Sequence, residues 1–146
     1  MTTHLAPAEV AKQVQARYPG AVAEITGNAI VIDSKALRDV MGFLKKTPGL
    51  DFNYMTTITA IDYYQYFEVV YNLVSMEHNH SLTIKTRCPR ENPRLPSVMD
   101  LWHAADYQER EIYDLMGITF EGHPNMKRIV LWPEFKGHPQ RRDFLQ

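Results

Sequence analysis

Three runs in the middle of this chain, Phe52–Ile61, Tyr66–Met76 and Ser81–Arg87, fix most of what it can fold into. Each is rich in Tyr, Thr, Val and Ile, the β-branched and aromatic residues that suit a pleated surface. The connections between them, Asp62–Gln65 and Glu77–His80, are short and turn-like. A parallel pair would need a crossover of about a dozen residues or more, so these neighbours must run antiparallel. In the second run Phe67, Val69, Tyr71 and Leu73 share one face, which has to be covered by something apolar.

The cover lies on either side of the strands. Pro7–Tyr18 reads as an amphipathic helix with Val10, Val14 and Tyr18 in line, stopped by Pro19-Gly20. Ala21–Ile25 and Ala29–Ile32 form a hairpin signal around Thr26-Gly27-Asn28. Asp33-Ser34 is a cap for a second helix whose apolar face is Leu37, Val40, Met41 and Leu44. The proline-rich stretch Cys88–Pro96 is expected to be a surface loop, and Ser97 to cap a last helix with the stripe Val98, Leu101, Trp102, Ala105, Ile112, Leu115 and Met116. That stripe breaks at Gln108 and Glu109, so either the helix bends there or Glu109 points into protein. Ile129–Trp132 is a candidate short strand. The expectation is one α+β domain over residues 1–146, with a mainly antiparallel sheet, helices packed on one face and an extended C-terminal segment.

Several chemistries are excluded by what is missing. Cys88 is the sole cysteine among 146 residues, so no internal disulfide forms and an iron–sulfur cluster lacks its thiolate ligands. None of the seven glycines pairs as G-x-G, and neither His-Glu-x-x-His nor G-x-S-x-G occurs. A flavin or nicotinamide site is therefore not expected. Met1–Ala6 carries no signal-peptide pattern, and no apolar run is long enough to span a membrane, so any membrane association is expected through a partner. With a net charge of -1, no global field recruits nucleic acid or anionic lipid.

Charge is instead segregated near the end. Residues 100–121 carry six acids against Arg110, a net -5, whereas residues 122–146 have a net +3. Adjacent segments of opposite sign can fold onto one another or both face a partner. Arg110 stands four residues from both Asp106 and Asp114. That spacing fits a solvated ladder contributing only tenths of a kcal/mol per pair, or an anchor that includes Glu109 and Glu111 and holds the basic tail. His123 and His138 each sit in Gly-His-Pro, where glycine permits the turn and proline extends the preceding residue, so each imidazole can reach a backbone or carboxylate partner. A metal or general-base role for this pair lacks supporting ligands or a nucleophile. His78 and His80 are expected to be solvated at a turn, and His4 to lie in a frayed end. Trp102, Trp132, Phe135 and Phe144 are core or, for Trp132 and Phe144, interface anchors. Nucleic-acid binding by Lys127, Arg128, Arg141 and Arg142 is disfavoured, since no recognition motif accompanies them.

Glu109-Arg110-Glu111, Asp114-Leu115-Met116, His123, Lys127, Ile129-Val130, Gly137-His138-Pro139 and Arg141-Arg142-Asp143-Phe144 together resemble the signature of the 30-kDa-type subunit of NADH-quinone oxidoreductase, respiratory complex I. Thr59-Ala60-Ile61-Asp62-Tyr63 and Tyr71-Asn72-Leu73-Val74-Ser75 resemble its sheet segment, so the likeness spans residues 50–144 and reaches the first fifty only in pattern. Tyr107 and Gln140 depart from it, standing where the family often has Trp and Leu.

The resemblance implies a cofactor-free subunit of the hydrophilic arm on the cytoplasmic face of the plasma membrane, reached only indirectly through the complex. It implies packing against the large 49-kDa-type subunit and other peripheral-arm subunits, with iron–sulfur clusters and FMN in those partners. Over 109–144 it casts Glu109, Arg110, Glu111, Asp114, His123, Pro124, Arg128, Trp132, His138, Pro139, Arg141, Arg142, Asp143 and Phe144 as interface and assembly residues, none of them catalytic. An equivalent subunit of a ferredoxin-, formate- or hydrogen-linked membrane oxidoreductase would carry the same signature.

Overall fold

The computed structural model describes residues 3–128, 131 and 136–142. Trp132, Phe135, Asp143 and Phe144, and most of the Ile129–Trp132 strand candidate, lie outside the described residues.

The three central runs form β4 (Tyr54–Asp62), β5 (Tyr66–Ser75) and β6 (His80–Pro89), an antiparallel meander in unbroken register from Tyr66↔Pro89 to Ser75↔His80 across β5 and β6. Ahead of them, β2 (Val22–Thr26) and β3 (Ala29–Ile32) make the expected hairpin, with Gly27 in the left-handed region at φ 56°. The hairpin joins the meander in parallel, Ala29↔Thr83 through Ile32↔Thr86, and β1 (Thr3–His4) adds a second parallel pair at His80–Ser81. The sheet is therefore mixed, in the order β2-β3-β6-β5-β4. The long path from β3 to β6 imposes no antiparallel constraint, unlike the short turns inside the meander.

Helices α1 (Pro7–Arg17), α2 (Leu37–Lys46) and α3 (Ala105–Met116) all bury their apolar sides in one core with Phe67, Val69, Tyr71, Leu73, Leu82 and Ile84. Pro7 opens α1, where a missing N–H costs nothing. Asp33 accepts from Lys35 N at 2.9 Å and caps a 3-10 turn, Ser34–Ala36, that leads into α2. The opposite face of the sheet carries polar pairs. Glu68 pairs with Arg87 and Lys85, and Asn72 bridges Thr57 and Thr83.

Four local expectations fail. The last helix does not start at Ser97; residues 97–104 form turns, and α3 begins at Ala105. Ser97 Oγ is committed to Glu109 instead, and the Trp102 indole N–H donates to Phe52 O at 2.9 Å. The proline-rich stretch is not wholly surface loop. Cys88 and Pro89 end β6, Leu95 is buried, and β7 (Arg94–Pro96) pairs in parallel with β8 (Thr119–Glu121). His80 is not solvated; its side of β6 faces the core, and Nε2 lies 2.8 Å from Leu50 O. His4 is held in β1, with Nδ1 2.8 Å from Ser81 Oγ. His78 does remain near solvent, paired with Asp51 at 2.7 Å.

Candidate functional site

The special residues of the last third gather around α3. At its C-terminus the backbone carbonyls of the final turn have no partner within the helix. The tail supplies them. His138 Nδ1 lies 2.9 Å from Asp114 O, Gln140 N donates to Leu115 O at 2.9 Å, and Arg141 Nε donates to Met116 O at 2.6 Å. A cation is favourable there because the helix end is partially negative. Gly117 makes the close approach possible: its φ is +79°, and a Cβ at this position would stand 2.7 Å from both the His138 ring and the Arg141 guanidinium.

The Asp114 side chain is fully buried and completes the staple. Its oxygens accept from Arg128 Nη1 and from Leu131 N, each at 2.8 Å, while Arg128 Nη2 donates to Gly137 O at 2.8 Å. One buried carboxylate thus ties both the start and the middle of the tail to the helix.

His123 holds the approach to the tail. Its Nδ1 accepts from Asn125 N at 3.0 Å, which leaves the proton on Nε2; that atom lies 3.2 Å from Asp106 O and 2.9 Å from Asp106 Oδ1. The Asp–Arg–Asp ladder is not formed among the described residues. Asp106 faces His123, Asp114 faces Arg128, and Arg110 Nε reaches Lys127 O at 3.4 Å. Arg128 brings a directed hydrogen bond to the Asp114 carboxylate and His123 bonds the Asp106 backbone carbonyl, contacts that a flexible neighbour on the same helix does not match.

Near the other end of α3, Glu109 does point into protein. It accepts from Ser97 Oγ at 2.5 Å and from Val98 N at 2.9 Å, pinning the turn that precedes the helix. Burial nevertheless outweighs those two bonds and pushes its carboxyl up to about 7. The Tyr71 hydroxyl, deeply buried and without a partner among the described residues, feels the same charge and is raised well above the usual phenol range, mainly by burial.

A fourth centre has no separate signal in the sequence. Asp62, at the end of β4, is buried and takes a two-pronged contact from Arg90, with Nη2 to Oδ2 at 2.8 Å. It also accepts from Arg142 N at 2.8 Å and Tyr64 N at 2.7 Å. The Arg90 contact holds this carboxyl well below the usual range. Arg90 and Arg141 flank the Phe67 ring at 5.0 and 5.1 Å, and Arg142 lies over Tyr64 at 5.0 Å. Asp62 reads in sequence as an ordinary turn residue, and only its place in the family-like segment marks it.

The signature residues therefore fall into distinct places. Asp114, Arg128, His138 and Arg141 form one cluster, and His123 joins Asp106. Arg142 reaches Asp62, and Glu109 clamps the turn after β7. Arg110 and Glu111 are half-buried on the flank of α3, Pro124 is exposed and Pro139 half-buried. Each cluster is built to hold backbone in place. The described side chains close enough to share a cation are Asp51, Glu77 and His78, at a turn near solvent, apart from both Gly-His-Pro turns.

Residues 30–146 match the family model described as the respiratory-chain NADH dehydrogenase, 30 Kd subunit. The chain belongs to this family. The match starts well upstream of the segment whose residues first suggested it, taking in β3 and α2. Among curated relatives, an NADH-quinone oxidoreductase subunit of Chloroherpeton thalassium is 37% identical over 94% of this chain. Its counterpart in Moorella thermoacetica is 42% identical over 80% of this chain and 78% of its own length. The chain spans 61% of the Chloroherpeton protein and 65% of a Rhizobium meliloti counterpart.

Solved structures agree. A trypsin-resistant fragment of Nqo5 superposes with a TM-score of 0.66 at 34% identity, covering 81% of this chain and 97% of the fragment. A chain of the membrane-bound sulfane sulfur reductase, an archaeal respiratory membrane complex, gives 0.76 at 30% identity, covering 94% and 84%. Among the described residues no helix is long and apolar enough to cross a membrane.

Proposed function

We propose that this chain is a cofactor-free peripheral-arm subunit of a complex-I-type NADH:quinone oxidoreductase. It scaffolds the quinone-reducing large subunit, the 49-kDa-type protein, on the cytoplasmic face of the membrane, while FMN and iron–sulfur clusters in other subunits carry the electrons. The supporting observation is the tail staple: Arg128, His138 and Arg141 join the described part of the signature segment to Asp114 and Met116 of α3 as a preformed surface. Preorganised surfaces lose less freedom on association, which suits a scaffold. Deleting the gene should abolish NADH:quinone activity of the membranes, and the purified chain alone should not oxidise NADH with a quinone acceptor. Turnover by the isolated chain would refute the reading.

A second reading is supported by the likeness to the sulfane sulfur reductase chain. The same scaffold would then serve a membrane oxidoreductase with another electron donor. An NADH-oxidising flavoprotein in the purified assembly would select the first reading, and an assembly complete without one the second. Nucleic-acid binding is not proposed, because Arg128 and Arg141 are turned to Asp114 and to Met116 O.

A further inference from the structure

The path β2-β3-β6-β5-β4 ends in two outer strands, β2 and β4, and they are protected unequally. Strand β2 is short, carries Glu24, and is bent by a bulge between Val22 and Glu24. Strand β4 has nine residues, with neither lysine nor proline, and its bulge at Met55–Thr57 leaves Thr57–Asp62 regular. An edge of that length, left open, is a template for pairing with another chain.

Pairing with β5 turns the backbone groups of Thr57, Thr59 and Ile61 inward and those of Ile58 and Ala60 outward. The outward amide of Ile58 is already occupied: it donates to Gln108 Oε1 at 2.6 Å. A side-chain carboxamide thus stands where the carbonyl of another strand would stand. The Ile58 carbonyl and both backbone groups of Ala60 have no partner among the described residues. Beside this edge runs a cleft of about 310 Å³ between β4 and α3, with Ile58, Ile112 and Met116 as apolar lining and Glu111 among its polar groups. Glu111 has no cationic partner among the described residues. The tail passes the cleft at Gln140 and goes on to Asp62, where Arg142 N is bound at the end of β4.

Outward donors and acceptors repeating every second residue, roughly 7 Å apart, match another extended backbone. We propose that an extended segment of a neighbouring subunit adds as a further strand along Ile58–Ala60. It takes over the Ile58 amide from Gln108, sets an apolar side chain against Ile112 and Met116, and brings a lysine or arginine to Glu111. This strand addition presupposes the subunit role given above.

Hydrogen exchange read by mass spectrometry, on the chain alone and within the complex purified through it, tests this directly. The Ala60 amide, without a partner among the described residues of the chain alone, should slow by roughly tenfold or more on assembly, and the Ile58 amide, held there only by a side chain, should slow as well. Ala60→Pro removes an outward N–H without touching the β5 ladder, so it should keep the unfolding midpoint close to that of the parent. Its recovery of partner subunits should fall by roughly tenfold, the equivalent of one lost backbone hydrogen bond. Glu111→Arg should weaken recovery in the same sense. An intact complex with unchanged exchange across β4, or A60P recovering partners at the parent level, would overturn the proposal. Should A60P misfold, exchange on the unaltered chain carries the test. A parent chain recovered without partners would overturn the subunit role itself, which separates the two failures.

Discussion

Replacing Glu109 by glutamine should stabilise this protein at neutral and alkaline pH. The carboxyl is buried with two hydrogen bonds, yet its pKa moves from an ordinary 4.5 up to about 7 because burial penalises the charge more than Ser97 and Val98 relieve it. The native state therefore holds a proton that the unfolded chain releases. The associated stability is fully present below about pH 4.5 and is lost as pH rises through about 7. A shift of that size corresponds to about 3 kcal/mol, spread at no more than about 1.4 kcal/mol per pH unit. The amide in E109Q can accept from the Val98 N–H and donate to Ser97 Oγ, so the contacts survive without the charge. Urea unfolding at pH 5, 6, 7 and 8 and constant ionic strength reads the difference between variant and parent, in which other titrating groups cancel. The variant should match the parent within about 1 kcal/mol at pH 5 and exceed it by about 2–3 kcal/mol at pH 8. A difference that does not change with pH would show that Glu109 is stably ionised, and would refute the argument.

Asp114→Ala removes the buried carboxylate from Arg128 and Leu131 N, and should cost about 3–5 kcal/mol while exposing residues 121–142 to limited proteolysis. Gly117→Ala meets both a left-handed φ and the His138 and Arg141 side chains; it should cost about 1–3 kcal/mol and speed exchange of the Gln140 amide. Asp62→Ala tests the opposite sign of linkage from Glu109. Its depressed carboxyl gives stability above the unfolded pKa of about 3.9 that is lost as pH falls, so D62A should be more damaging at pH 7 than at pH 3 in denaturant titrations.

The hairpin, the meander and the two leading helices are legible in the sequence because period-2 and period-3.6 patterns are local signals, and the turns between them are short. What is not legible depends on distant partners. Nothing near Ala29–Ile32 announces a parallel join to Thr83–Thr86. The three-residue strands β7 and β8 are too short to carry a pattern. Residues 97–104 keep helical spacing because turns stabilised by Val98 O and Trp102 O bring the same positions onto one side. Around the site, the gap in the α3 stripe leaves a bent helix or an inward Glu109, of which the structure takes the second, and the two Gly-His-Pro turns foretell histidines aimed at backbone or carboxylate. Spacing along the helix offers Asp106 and Asp114 only Arg110 as a partner. The folded tail is what brings His123 and Arg128 within reach of them.

A docking subunit of a respiratory complex should be found bound to its partners in the cell. Affinity purification of the tagged chain from its native host in mild detergent, with mass spectrometry of what accompanies it, tests that most directly. Recovery of a 49-kDa-type large subunit together with iron–sulfur proteins is the predicted result. Recovery of the bare chain, or of nucleic acid in place of those subunits, would contradict it.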